Sequence, residues 1–337
     1  MSHVYVSNAD SGDISVLYMG QDGNLRLQSS VPVGGNLMPM AICPNQKVLY
    51  AVRRSDPMAV VSLAIDPFSR DLHRLGEAAL PASMAYVSTD AAGRFLLAAS
   101  YPEHQLTVSP IAPDGTVGPV QQVLHTGPNA HAILPSPCKR YVLATALGGG
   151  ELMVFRFNAE SGQLTPAASW AARAGAGPRH FRFDPQGRRV YLLHELDGTV
   201  DVLAWDADQA RLSLLQTVDI LPPGFTGKPW AADLHLTPDG RYLYTSERTS
   251  STLAHFTVDA VTGCLVVQGH TPVETQPRGF SIDPTGRHLL VVGQLTHHLS
   301  RWAIDQETGQ LDLQQRIPVG QGPNWVEILA RAILKKP

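Results

Sequence analysis

The sequence predicts an all-β protein, a seven-bladed β-propeller with four antiparallel strands per blade, in a single domain spanning residues 1–337. Three observations predict it. A strand–turn–strand pattern recurs along the chain at near-constant spacing. Alternating apolar and polar segments around a second, glycine-containing turn follow each copy. The two chain ends each carry half of one further copy.

The recurring pattern is seen in "DPQGRRVYLLHE", "TPDGRYLYTSER" and "DPTGRHLLVVGQ", and its copies begin at Cys43, Asp90, Ser136, Asp184, Thr237 and Asp283. The steps are 47, 46, 48, 53 and 46 residues, with no helical periodicity between them. A short apolar strand precedes each turn, Asp-Pro-x-Gly chemistry reverses the chain, and a strand of β-branched, leucine and aromatic residues follows. Segments such as "ELMVFRFNAESGQLTPAASW" then read as an outer hairpin. "HVYVSNAD" at the N-terminus matches the second strand of the unit and "GPNWVEIL" near the C-terminus matches the first. Six whole hairpins and this split one make seven blades, and pairing the chain ends closes the ring and protects its edges. The last few residues are expected to form a short tail.

Composition agrees with a large folded domain. Of 337 residues, 44% are hydrophobic and only 16% charged, and the 29 glycines and 26 prolines are spread evenly, as many short strands require. A net charge of −3 argues against a nucleic-acid or membrane partner. Cys43, Cys138 and Cys264 lie far apart without a CxxC pair, which argues against disulfides or a zinc site; they are expected to be buried small apolar residues. The chain enters strand-like alternation at once, so no signal peptide is expected and the default location is cytoplasmic.

Equivalent positions in a propeller converge. The start of each first strand and the end of each second strand meet at one face of the ring. Five residues before the turn stand Met38, Ala85, His131, Arg179, Ala232, Arg278 and Asn324. Eleven residues after its start stand Ala9, Arg54, Tyr101, Leu147, Glu195, Arg248 and Gln294. His131, Arg179, Glu195, Arg248, Arg278 and Gln294 thus come from neighbouring blades to one channel mouth, with Arg54 across the ring. The set is polar and mostly cationic, and guanidinium forks match carboxylate and phosphate, so the pattern points to an anionic ligand. Taken singly, each of these residues could equally be a structural ion pair.

Other features have plainer explanations. His297 and His298 are adjacent and point to opposite strand faces, the wrong spacing for two metal ligands. Strict alternation turns His180 and His194 to the sides of the blade, in structural hydrogen bonds. Asp233 and His235 share a strand face and are expected to bond between blades. Gly148–Gly150 lacks the lysine, serine and helix of a nucleotide loop and reads as a turn.

The stretches "GPRHFRFDP", "HELDGTVDV", "WAADLHLTPDGRYLYTSERT", "ETQPRGFSIDPTGRHLLVVGQ" and "VGQGPNWV" resemble the propeller-type 6-phosphogluconolactonases. These belong to the lactonase (cycloisomerase 2) family of seven-bladed propellers, which also includes fungal carboxymuconate-cyclising enzymes. The resemblance covers essentially the whole chain. It implies that His131, Arg179 and Glu195 are catalytic and that Arg248 contacts the substrate, with Arg278, in "QPRGF", a carboxylate or phosphate contact. Gln294, Arg54 and Tyr101 complete the expected substrate-binding set; no metal or cofactor is expected. The chain departs from the family in two places: "PNAHA" stands where many relatives have P-H-x-H-S, and Gly150–Glu151 where an Asp-Arg pair is common.

The chemistry expected is hydrolysis of a sugar-acid lactone, with 6-phospho-D-glucono-1,5-lactone as first substrate and no metal required. Arg179 would meet the oxyanion, and His131 or Glu195 would move the proton. The changed loop keeps unphosphorylated uronic or aldaric lactones open as substrates. Muconate-type cyclisation and a non-catalytic interaction scaffold are the remaining alternatives. A monomer is expected.

Overall fold

Seven four-stranded antiparallel sheets form the chain in the computed structural model, which describes residues 2–330. The tail expected at the C-terminus lies outside the described residues. Inner strands Leu37–Ile42, Met84–Thr89, Ala130–Pro135, Pro178–Phe183, Ala231–Leu236 and Pro277–Ile282 open blades 2 to 7. Blade 1 is the split blade: Pro323–Ala330 is its inner strand and Ser2–Asn8 pairs beside it, with Ser2 opposite Ala330 and Ser7 opposite Trp325. The Ser7 hydroxyl donates to Asn324 Oδ1 (3.0 Å), a buried bond across the closure. No helix among the described residues is long and apolar enough to cross a membrane.

The turn chemistry explains the repeat. Asp184 Oδ1 accepts from the backbone N–H groups of Arg188 (2.6 Å) and Arg189 (2.9 Å), and Asp283 Oδ1 does the same for Arg287 and His288. Ser136 and Thr237 do similar work with hydroxyls. The second strand carries its own device. The Tyr5, Tyr50, Tyr191 and Tyr244 hydroxyls, all at one repeat position, donate to the carbonyls of Arg70, Gly115, Gly263 and Gly309, each in the outer hairpin of the following blade. Apolar residues fill the space between blades, as where Phe181, Leu192 and Leu203 pack with Val142 and Leu152.

One local irregularity recurs in the inner strands. Register shifts fall between Leu37 and Met40, Met84 and Tyr86, Ala130 and Ala132, Pro178 and Phe181, Ala231 and Leu234, and Pro277 and Phe280. A β-bulge leaves residues unpaired and re-aims their side chains. Here the bulge coincides with the repeat position that the sequence places at the channel mouth.

Two expectations are corrected. Only Cys43 is buried; Cys138 sits exposed in the turn after an inner strand and Cys264 is half-exposed in an outer turn. Turns lie at the surface, which apolar spacing alone does not reveal. His180 does not face the blade side. Its ring makes edge contacts with Tyr86 of blade 3 (5.1 Å between centroids) and Trp325 of blade 1 (6.0 Å), which places it in the central channel. The bulge between Pro178 and Phe181 breaks the alternation that the expectation assumed.

Candidate active site

The site is built on adjacent blades 4 to 7. Arg179, almost fully buried, lies in the blade 5 bulge. Its Nε donates to Glu195 Oε2 at 2.7 Å, and its Nη1 donates to the carbonyl of Ala232 in blade 6. Glu195 follows the strand Arg189–His194 and is fixed by a bond from its own N–H to Gly177 O (2.8 Å). Gly177 has φ +73°, and a Cβ there would stand 2.6 Å from Leu196 Cγ, so glycine permits this close pass.

Arg248, from blade 6, reaches the same carboxylate oxygen: Nη2 to Glu195 Oε2 is 2.9 Å. Its Nε and Nη2 also donate to the carbonyls of Trp230 and Ala231 (both 3.0 Å), and its guanidinium lies 3.9 Å from the Trp230 ring centre. Carbonyls and an aromatic face therefore hold a cation that shares its ion-pair partner, Glu195, with Arg179. Burial and the nearby Arg179 push Arg248 down, to about 9, against the pull of Glu195.

Arg278, in the blade 7 bulge, makes no hydrogen bond or ion pair among the described residues, and Arg54 has only the Ser83 hydroxyl (2.8 Å). Burial, then Arg179, Arg248 and Arg54, drive Arg278 well below its ordinary value; burial lowers Arg54 as well. Arg179 and Arg248 thus share the Glu195 carboxylate, with Arg278 and Arg54 close by. Unlike structural ion pairs, this group carries an excess of positive charge that an anion would neutralise.

His131 is buried beside this group, and its Nδ1 has no hydrogen-bond partner among the described residues. Burial, then Arg179 and the neighbouring His180, Arg278 and Arg248, hold it well below the usual imidazole value. It is therefore neutral near pH 7 and able to accept a proton. Tyr101 packs edge-on to the His131 ring at 5.8 Å. Gln294 turns instead to Gln276, whose Nε2 donates to it at 3.0 Å, and among the described residues no hydrogen bond joins its side chain to the arginine group.

Sequence reasoning missed three participants. His180 meets both Arg179 Nη1 (3.2 Å, through Nε2) and Asp233 Oδ1 (2.8 Å, through Nδ1), and its ring lies 5.1 Å from that of His131. Asp233 does bond between blades, as expected, but from the channel. Trp230, the aromatic at the head of "WAAD", is the platform for Arg248. The signal for the first two was the paired bulges, which strand periodicity does not encode. His194 keeps its structural place, with Nε2 2.8 Å from Asp201 Oδ2. Among the described residues, no group of three His, Cys, Asp or Glu side chains has the arrangement to hold a metal ion. Deeper in the channel, a cavity of about 270 Å³ is lined by Tyr86, Arg182, Asp233, His235, Trp325 and Glu327.

The family model described as lactonase, 7-bladed beta-propeller, matches residues 3–328. The chain belongs to this lactonase family. It is a lactone-hydrolysing enzyme, like relatives named 6-phosphogluconolactonase. A 6-phosphogluconolactonase of Pectobacterium carotovorum subsp. carotovorum is 43% identical over 329 residues, covering 97% of this chain and 98% of that protein. One from Serratia proteamaculans is 41% identical over 332 residues, covering 97% and 99%. Among solved structures, the periplasmic gluconolactonase of Pseudomonas aeruginosa superposes with a TM-score of 0.91 at 31% identity, over 98% of this chain and 99% of that one.

Proposed function

We propose that this lactonase hydrolyses 6-phospho-D-glucono-1,5-lactone to 6-phospho-D-gluconate at the arginine-lined mouth, without a metal ion. The observation that carries the reading is Arg278, whose guanidinium has no hydrogen-bond or ion-pair partner among the described residues, beside Arg54, which among them has no carboxylate partner either. A phosphate dianion supplies the missing charge, and guanidinium geometry suits it. The relatives named 6-phosphogluconolactonase support the same substrate.

In this mechanism neutral His131 takes a proton from water as its oxygen adds to the lactone carbonyl carbon. Negative charge grows on the carbonyl oxygen and is met by Arg179, which Glu195 holds in place together with Arg248. The tetrahedral centre collapses with cleavage of the bond to the ring oxygen, and the His131 imidazolium returns its proton to that oxygen. Water is consumed and the sugar acid leaves, ionised. The cationic lining repels a divalent metal and itself supplies the electrostatic stabilisation.

Acid release at constant pH, with phosphorylated gluconolactone, gluconolactone and glucarolactone compared, tests the reading. The phosphorylated lactone is expected to be the best substrate. Arg278→Ala should raise its KM about 10- to 100-fold, as loss of a charge-assisted bond implies, and leave the unphosphorylated lactones nearly unchanged. Equal effects on all three would remove Arg278 from phosphate recognition. Chelator treatment should leave turnover intact; loss restored by a divalent ion would overturn the metal-free mechanism.

A second reading takes unphosphorylated gluconolactone as the substrate. It is favoured by the likeness to the Pseudomonas gluconolactonase and by Gly150–Glu151, where a cationic residue is absent. A monomer in the cytoplasm completes the proposal; sedimentation and cell fractionation test these two points.

A further inference from the structure

We propose that His180 and Asp233 are a positioning pair for Arg179: Asp233 fixes His180 as the neutral tautomer protonated on Nδ1, and the bare Nε2 holds the guanidinium toward the reacting carbonyl. This rests on the lactone-hydrolysis reading above. It assigns work to two side chains that sequence periodicity treats as blade-to-blade structure.

The polarity of the chain of contacts is forced at both ends. A carboxylate only accepts hydrogen bonds and a guanidinium only donates them. His180 Nδ1 lies 2.8 Å from Asp233 Oδ1, so that nitrogen carries the proton. His180 Nε2 lies 3.2 Å from Arg179 Nη1, so that nitrogen is the acceptor. The other tautomer would set N–H against N–H at Arg179 and a lone pair against the carboxylate. An imidazolium would keep the Asp233 bond but lose the Arg179 bond. Burial and the Arg179 charge hold His180 down, to about 3, against the pull of Asp233, consistent with the neutral form.

Asp233 is itself braced. Its Oδ1 also accepts from Leu234 N–H (2.9 Å), its backbone N–H donates to the Ser246 hydroxyl (3.0 Å), and Oδ2 faces His235 Nε2 at 3.2 Å. Burial would raise its carboxyl, but His235 and His180 outweigh that and hold it well below the usual range. Arg179 is consequently anchored at Nε by Glu195 and at Nη1 by His180 and Ala232 O, while Nη2 has no partner among the described residues. Nη2 is left to meet an oxyanion. Without the acceptor at His180, the guanidinium would be less restrained about its Glu195 contact. Two adjacent bulges, at Pro178–Phe181 and Ala231–Leu234, deliver all of Arg179, His180, Ala232 and Asp233 to this contact.

The test has two arms on the full-length protein. Nitrogen NMR of the imidazoles reads the tautomer directly and needs no substrate. His180 Nδ1 should show the protonated and Nε2 the unprotonated signature from pH 6 to 8; the reverse, or an imidazolium, overturns the pairing. The second arm is kinetic. Asp233→Asn should lower kcat about 10- to 100-fold while KM moves less than about 3-fold, because the bond to the oxyanion strengthens in the transition state. His180→Gln, whose amide oxygen can accept from Arg179, should recover about tenfold or more over His180→Leu. Rates are expressed per folded molecule, from the circular dichroism signal and the urea midpoint. Asp233→Asn within about 2-fold of wild type, Gln no better than Leu, or losses that merely follow the folded fraction would each overturn the proposal. Failure of the wild type on every lactone would instead overturn the reading of the reaction, and the NMR arm would still judge the tautomer.

Discussion

At the scale of single residues, the decisive property of the site is an imbalance of charge around a neutral base. His131 is buried, with Arg179, Arg278 and Arg248 as neighbours and no carboxylate bonded to it among the described residues, so its protonated form is disfavoured. A base of this kind stays available well into acid. The acidic limb of kcat/KM, measured with unphosphorylated gluconolactone so that phosphate ionisation does not enter, should therefore fall below the ordinary imidazole value of 6.5. A profile that falls with a midpoint near 6.5 or above would exclude His131 as the base. His131→Ala should cut kcat by about two to four powers of ten. Much of this group was legible in the sequence, because Arg179, Glu195, Arg248 and Arg278 hold repeat positions that any propeller brings together. What repeat counting could not say is which nitrogen meets which oxygen. It placed Gln294 correctly at an equivalent position, yet the side chain pairs with Gln276.

At the scale of elements, two features of the blade were legible to different degrees. Asp-Pro-x-Gly turns announce themselves, because the aspartate oxygen must collect the N–H groups that the turn leaves unpaired. The inner-strand bulge leaves no such mark: one extra residue in a strand changes neither composition nor the following alternation. That is why His180 was expected at the blade side and stands in the channel. The tyrosines of the second strand were legible as apolar mass and not as interblade bonds. Their hydroxyls nonetheless tie blades 1, 2, 5 and 6 each to the following blade, and Tyr191 to Gly263 O (2.9 Å) is a buried example. Tyr191→Phe should destabilise the fold by about 1–3 kcal/mol, because the Gly263 carbonyl is left without its donor. Urea unfolding should show a lower midpoint with an unchanged slope and unaltered kcat. A change in slope would mean that the blades had begun to unfold separately.

At the scale of the whole molecule, the ring places two chemically different spaces along one channel. One holds the arginine excess. The other, the cavity of about 270 Å³, brings Arg182 together with Asp233, His235 and Glu327. Glu327 sits on the strand that closes the ring, where Trp325 Nε1 donates to its Oε1 at 2.8 Å. Burial raises its carboxyl to about 7; the Trp325 bond and Arg182 oppose this, and Asp233 adds to it. The folded state thus binds this proton more tightly than the unfolded state, whose reference value is 4.5. The contribution to stability is fully present below the unfolded value and is lost as pH rises through the folded one. Glu327→Gln keeps an acceptor for Trp325 and removes the titration. Its thermal midpoint should match wild type near pH 4.5 and exceed it at pH 8, with the gap opening between those values. A gap that is constant with pH would show that Glu327 titrates in the folded ring as it does in the unfolded chain, and that the Trp325 bond and Arg182 offset burial at the closing strand.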